Sequence, residues 1–157
     1  MDHNTARKLS DLIHKERIAH LGTLRGGAPM VGMTLFMPMS DFSLFYVHVS
    51  RLAWHTQDME KDPRVALSVA ETDDERPDPF TLMRVTIRGE AERIPNEDAS
   101  VPELKMAWLG RFQEQAINFT LADFSFWKIV PRDARFIAGF GQIHNLSAKE
   151  LAAAGAP

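Results

Sequence analysis

The chain has 157 residues, 45% of them hydrophobic and 25% charged, with a net charge of −3 at pH 7. That size suits one compact domain, and the mild acidity gives no general attraction to nucleic acid or anionic lipid, so any anion site must be local. Cysteine is absent, which removes disulfides, thiolate nucleophiles and cysteine metal sites. No apolar run approaches the ~18 residues that span a bilayer, and the first residues lack the apolar stretch of a signal peptide, so a cytoplasmic protein is expected.

Asn4 or Thr5 is suited to cap a first helix, in which Ala6, Leu9, Leu12 and Ile13 recur at helical spacing until about Glu16. Ile18 to Leu24 reads as a strand, Gly26-Gly27 as a tight hairpin and Met30 to Met37 as the returning strand. Phe42 to Ser50 follows as a strand that is apolar on both faces, with Leu44, Tyr46 and His48 on one side and Phe45, Val47 and Val49 on the other. Such a strand predicts a barrel wall with a helix or a second subunit packed outside it.

Ala53 to Lys61 is helix-permissive, and Val65, Leu67 and Val69 mark the next strand. The acidic run 71–79 reads as a solvated connection. Thr81 to Ile94 predicts a long strand broken near Gly89, with Val85 and Ile87 facing the core. Ser100 with Glu103 forms a capping-box pattern ahead of Leu104, Trp108 and Phe112, and Ser147 with Glu150 repeats it before a short closing helix. The last strands are expected within Asp123 to Phe140. Six or seven strands joined by short turns predict a mainly β, α+β fold, an antiparallel barrel with peripheral helices. Gly22, Gly26 and Gly27 lack the spacing of a dinucleotide-binding turn.

The densest polar cluster, Ser50-Arg51-Leu52-Ala53-Trp54-His55-Thr56-Gln57, leaves a buried strand and enters a helix. Backbone N–H groups at a helix start, the Ser50 and Thr56 hydroxyls and cationic Arg51 or His55 would suit a phosphate there. The plainer reading has Ser50 as a cap and the cations on the surface. Gly32, alone among bulky neighbours in its strand, leaves room for a planar group against the backbone or for a bulge. The histidines do not fall at metal-ligand spacing, the eight methionines suit adaptable core filling, and no Gly-x-Ser-x-Gly elbow is present.

Two segments carry a family resemblance. Residues 50–65, from Ser50 through Leu52-Ala53, His55-Thr56 and Asp62-Pro63-Arg64, resemble the S-x-L-A-x-H-T-x-N-x-x-x-D-P-R pattern of the pyridoxamine 5'-phosphate oxidase-like FMN-binding split-barrel superfamily, in its haem-utilisation branch, with Asp58 where Asn is usual. Arg135 to Gln142 is similar to that branch's closing F-V-x-G-F-G segment. The resemblance implies a split β-barrel used as a homodimer, with FMN at the subunit boundary. It places the phosphate at Ser50, Arg51, His55 and Thr56, and the ring along Gly32, Met33 and Thr34 beside Val49. It adds Arg84 as a polar contact and Trp127 as a contribution across the dimer.

The oxidase's substrate motif R-x-H-x-R is not matched, since Phe136, Ile137, Ala138 and Gly139 follow Arg135. The resemblance therefore implies an FMN-binding oxidoreductase of unassigned substrate, with a haem-binding or haem-degrading protein, or a non-catalytic flavin-binding module, as alternatives. His144, placed on a mobile tail after Gly139 to Ile143, is the candidate haem ligand; a plain surface histidine is the competing reading.

Overall fold

The structure, a computed structural model, describes residues 1–155. Helix α1 (His3–Lys15) is followed by strands β1 (Ile18–Arg25), β2 (Ala28–Leu35), β3 (Met37–Pro38) and β4 (Phe45–Ser50), then α2 (Trp54–Lys61) and β5 (Arg64–Ala70). Next come β6 (Arg84–Arg93), α3 (Val101–Arg111), a 3-10 segment (Gln113–Thr120), β7 (Phe124–Ile137), β8 (Ile143–Ser147) and α4 (Ala148–Gly155). The strands form one antiparallel sheet in the order β2-β1-β5-β6-β7-β4-β3, and β8 joins it along β7. No helix among the described residues is long and apolar enough to cross a membrane.

The hydrogen-bonded ladder does not close into a full ring. Its two end strands, β2 and β3, are consecutive in the chain and meet through the fully buried Phe36. The covalent chain thus closes the barrel at one point and leaves a split between β2 and β4. Inside it, Leu21, Phe45, Val47, Leu67, Val85, Ile87, Ile129 and Phe136 form a continuous core, with Leu9, Leu12 and Ile13 of α1 and Leu151 of α4 packed onto it.

The outer face of β4 has its own cover. Tyr46 and Phe126 pack with Trp108 and Phe112 of the α3 region, and the His48 ring stacks on Phe119 at 4.2 Å. A helix therefore accounts for the two-sided strand without a second subunit. Burial of strand side chains on both faces needs only apolar partners within van der Waals reach, whichever element supplies them.

Several local expectations change. Asp2, not Asn4 or Thr5, caps α1, because its carboxylate accepts from the Thr5 backbone N–H at 2.9 Å. Phe42 lies before β4, in a turn at φ 51 with its ring buried, so the strand starts at Phe45. Ser100 gives its hydroxyl to Asp98 at 2.6 Å and makes no side-chain cap to α3. The second capping box does form, with Ser147 N–H donating to Glu150 at 2.8 Å and Glu150 N–H to the Ser147 hydroxyl at 3.3 Å. The hairpin glycines Gly26 and Gly27 take φ of 60° and 83°, which side-chain-bearing residues adopt rarely.

Candidate functional site

Helix α2 sits across the split in the barrel mouth, and its consecutive residues face opposite walls. Towards β2, a Cβ added at Gly32 would lie 3.5 Å from His55 Nδ1, so α2 occupies the space that the missing side chain leaves. Alanine would fit there and a larger residue would strike the imidazole. Towards β1, the buried Asp58 carboxylate accepts from Thr23 Oγ1 and from the Arg25 guanidinium, each at 2.9 Å. Arg25 in turn lies over the Trp54 ring, 4.3 Å from its centre.

Towards β4 and β7, Thr56 enters a small cavity of about 20 Å³, lined also by Val49, Arg51, Glu60, Arg93, Asp123, Ser125 and Trp127. The strand register explains the grouping. Val47 pairs with Trp127 and Val49 with Ser125 across β4 and β7, while Arg93 pairs with Trp127 across β6 and β7. Directly paired residues share one side of a sheet, so these side chains converge on the mouth.

The predicted site residues are therefore only partly gathered. Val49, Arg51, Thr56 and Trp127 line the one cavity. Ser50 borders it: its hydroxyl accepts from Leu52 N–H at 3.0 Å and donates to the Asp123 carboxylate, so it organises the junction and does not cap α2, whose N-cap is Ala53. His55 faces Gly32 instead, and burial pushes its pKa down. On β2, Met33 is 63% exposed on the outer face, while Thr34 is buried and gives its hydroxyl to Leu35 C=O at 3.0 Å.

Arg84 lies at the far end of β6 beside Ile137, with its guanidinium donating to Phe80 C=O and Leu82 C=O. About nine residues, roughly 30 Å of strand, separate it from Arg93. His144 is at that far end too. It is not on a tail: it belongs to β8, opposite Phe136, and its half-buried ring stacks on that phenylalanine.

Sequence reasoning missed Arg93, Asp123 and Ser125. Arg93 donates to Ser125 Oγ at 3.2 Å. The alternation Ala91-Glu92-Arg93 carried a signal, since an arginine on the inward side of a strand end needs a polar reason to be there. Among the described residues, no group of three or more His, Asp or Glu side chains could hold a metal ion.

A family model described as CREG, beta-barrel matches residues 2–153. The chain belongs to that family. It is 28% identical over 127 residues to the haem oxygenase HutZ of Vibrio cholerae, a stretch covering 80% of this chain and 70% of that protein. It is 31% identical over 91 residues to the chloroplastic haem oxygenase HOZ of Arabidopsis thaliana, covering 58% of this chain and 26% of the plant protein. A haem binding protein from Mycobacterium smegmatis superimposes with a TM-score of 0.83 at 23% identity, covering 95% of this chain and 60% of that one.

A Clostridium acetobutylicum protein of the pyridoxine phosphate oxidase family superimposes with a TM-score of 0.74 at 12% identity, covering 96% of this chain and 99% of that one. The chain thus spans about a quarter of the plant relative and three-fifths of the mycobacterial one. The split barrel and the likeness to the haem-utilisation branch are both findings. At such low identity the two solved structures speak for the fold alone.

Proposed function

We propose that this CREG-family barrel binds haem, for storage or breakdown, as a homodimer with its sites at the subunit boundary. The similarity to HutZ over four-fifths of the chain carries this reading. Haem is a flat apolar disc with two carboxylates, so it needs an apolar wall, cationic anchors and a ligand on iron. Arg51 and Arg93 would serve as anchors at the mouth. Ile18, Val31 and Met33 supply exposed apolar surface on the neighbouring outer face of β1 and β2.

His144 is the proposed iron ligand. Since it and Arg84 stand at the opposite end of β7 from Trp127, one chain does not unite them with the mouth. A two-fold partner running the other way would bring one chain's far end to the other's mouth, as the proposed homodimer requires. Cytoplasmic placement goes with this reading. Titration of the purified protein with haemin should produce a shifted Soret band, and His144→Ala should change that band while the fold persists. An unshifted spectrum would remove the haem reading, and an unchanged band in His144→Ala would remove this ligand alone.

FMN in the same mouth is the second reading. It is favoured by the donors Thr56 Oγ1 and Trp127 Nε1, which are buried and have no partner. These groups fit a phosphate, with Arg51 at the rim. Bound FMN would supply electron transfer, and the chain's own part would be to hold and desolvate it. A flavin absorption band that appears on adding FMN, with an unmoved Soret band on adding haemin, would favour this reading, and turnover of an electron acceptor would separate an oxidoreductase from a flavin-binding module.

A further inference from the structure

The outer face of β4 is covered by a segment with little hold on the barrel. The 3-10 run Gln113–Thr120 is eight residues long, where such runs rarely exceed about four, and none of its residues is fully buried. Its side-chain hydrogen bonds stay local: Asn118 donates to Gln115 and Thr120 to the Ile117 C=O, each at 2.7 Å. Its single aromatic ring, Phe119, stacks on His48 at 4.2 Å and 13° and lies 5.7 Å from the Phe126 ring.

Three more rings, Phe126, Phe124 and Trp108, surround His48 at 4.6, 5.4 and 5.9 Å between centres, and its buried Nδ1 has no hydrogen-bond partner. Trp108 Nε1 is buried and unpartnered as well, and it can only donate. The charged groups on the packing elements are Glu103, Lys105 and Arg111 on α3, Glu114 on the 3-10 segment, Asp123 beyond it and Lys128 on β7. Arg111 donates to the His14 C=O, Asp123 takes the Ser50 hydroxyl, Lys128 pairs with Glu92, and Lys105 lies over the Phe119 ring. None of them shifts the imidazole, which burial alone perturbs.

A neutral imidazole suits this cage. A proton would make both ring nitrogens donors and leave Nδ1–H without an acceptor, and the attraction of an imidazolium for ring faces falls short of the cost of burying a charge that has no counter-ion. The segment also leads into the mouth. Ala122 and Asp123, just past it, line the small cavity there, and the Asp123 C=O accepts from the Arg51 N–H at 2.7 Å.

We propose that residues 113–123 form a strap, held to the barrel by the stack of Phe119 on His48, that lifts when His48 takes up a proton and in lifting loosens whatever the mouth holds. The loosening rests on the reading that a ligand docks at the mouth; the strap itself does not.

Hydrogen–deuterium exchange of the whole chain at pH 7 and pH 5, corrected for intrinsic rates, reads the strap without any ligand. Burial holds the His48 pKa down at about 4 against the ordinary 6.5. Protection over residues 113–123 should therefore fall by about tenfold at pH 5 while β6 and β7 keep theirs. His48→Phe keeps a ring against Phe119 and cannot titrate, so its strap should hold at both pH values. Phe119→Ala keeps His48 and removes the stack, so its segment should exchange freely already at pH 7. Unchanged wild-type protection, a fall that reaches β6 equally or persists in His48→Phe, or a protected segment in Phe119→Ala would overturn the proposal.

Release of haemin and of FMN is followed at the same two pH values. Release that quickens at pH 5 more in wild type than in His48→Phe supports the link to the mouth, and equal quickening in the two overturns that link. Binding of neither ligand would remove the ligand reading, while the exchange result still decides the strap.

Discussion

At the scale of single residues, Asp58 ties α2 to the first hairpin. Its carboxylate is almost fully buried, while Arg25 remains partly exposed and Thr23 is buried beneath it. Removing Arg25 would leave a buried charge with one neutral donor, so Arg25→Ala should cost about 2 kcal/mol, less than a fully buried pair because water reaches the guanidinium. Urea denaturation checks this. A Cm indistinguishable from wild type would show that the pair does nothing for stability. The sequence displays Asp58 as a departure from its motif, but Arg25 lies 33 residues away and only folding joins them.

His48 belongs to the same scale. Burial pushes it down to about 4 from the ordinary 6.5, so it is neutral in the native state while the unfolded chain takes up a proton. The unfolded state then binds more protons between those values, and stability should fall as pH drops from about 6.5 towards about 4. Allowing for partial solvent screening, the loss is roughly 1–2 kcal/mol. The carboxylates of Asp62 and Asp74, held at about 2 by hydrogen bonds from Arg64 and Arg76, keep their contribution through this window. The urea midpoint should therefore be lower at pH 5 than at pH 7, and the gap should shrink in His48→Phe. His14 and His55 are pushed down by burial as well, so part of the gap should persist.

At the scale of elements, Gly89 marks where β6 shifts register against β7. A Cβ built there would lie 2.2 Å from the Val130 carbonyl oxygen, and the next nearest atoms are also β7 backbone, at Val130 and Pro131. Gly89→Ala must displace one strand of the longest ladder, and a loss of at least about 3 kcal/mol is expected. Thermal melting beside Gly110→Ala, where a Cβ meets nothing within 4 Å, isolates the steric effect. Equal melting temperatures would contradict it. The irregularity at Gly89 was legible because glycine in a strand interior has few other uses, although β6 runs through it unbroken and only its register against β7 shifts. The failed cap at Ser100 was not legible, because Asp98, two residues earlier, outcompetes the backbone for its hydroxyl.

Over the whole molecule, α2 is the plug of a barrel whose ladder stays open. His55 and Thr56 are neighbours in sequence and share one predicted role, yet the 3.6-residue turn sends one to β2 and the other to β7. The outer sheet face carries Val31 at 62% and Met33 at 63% exposure, beside a groove of about 510 Å³ lined by Gly22, Ala66, Val130 and a rim of Arg64, Arg88 and Arg132. Apolar surface rimmed by charge suits a second copy of the chain. Sedimentation should give a dimer, and Met33→Glu should lower its association while leaving the far-ultraviolet spectrum intact. A monomer in wild type would remove the subunit boundary from the proposed site.

The sequence alone determined the strand alternation, the hairpin at Gly26-Gly27, an irregularity at Gly89, the family and the polar junction after Ser50. Each rests on local periodicity, backbone freedom or a contiguous motif, all of which are properties of neighbours in the chain. Only the tertiary structure decided that Arg93 and Ser125 join Thr56 and Trp127, that His55 turns away, and that Arg84 and His144 stand at the far end of β7. Those outcomes depend on register between distant strands and on where α2 lies across the split, and a one-residue slip of a strand would send its own side chains, Arg93 on β6 or Ser125 and Trp127 on β7, to the other face.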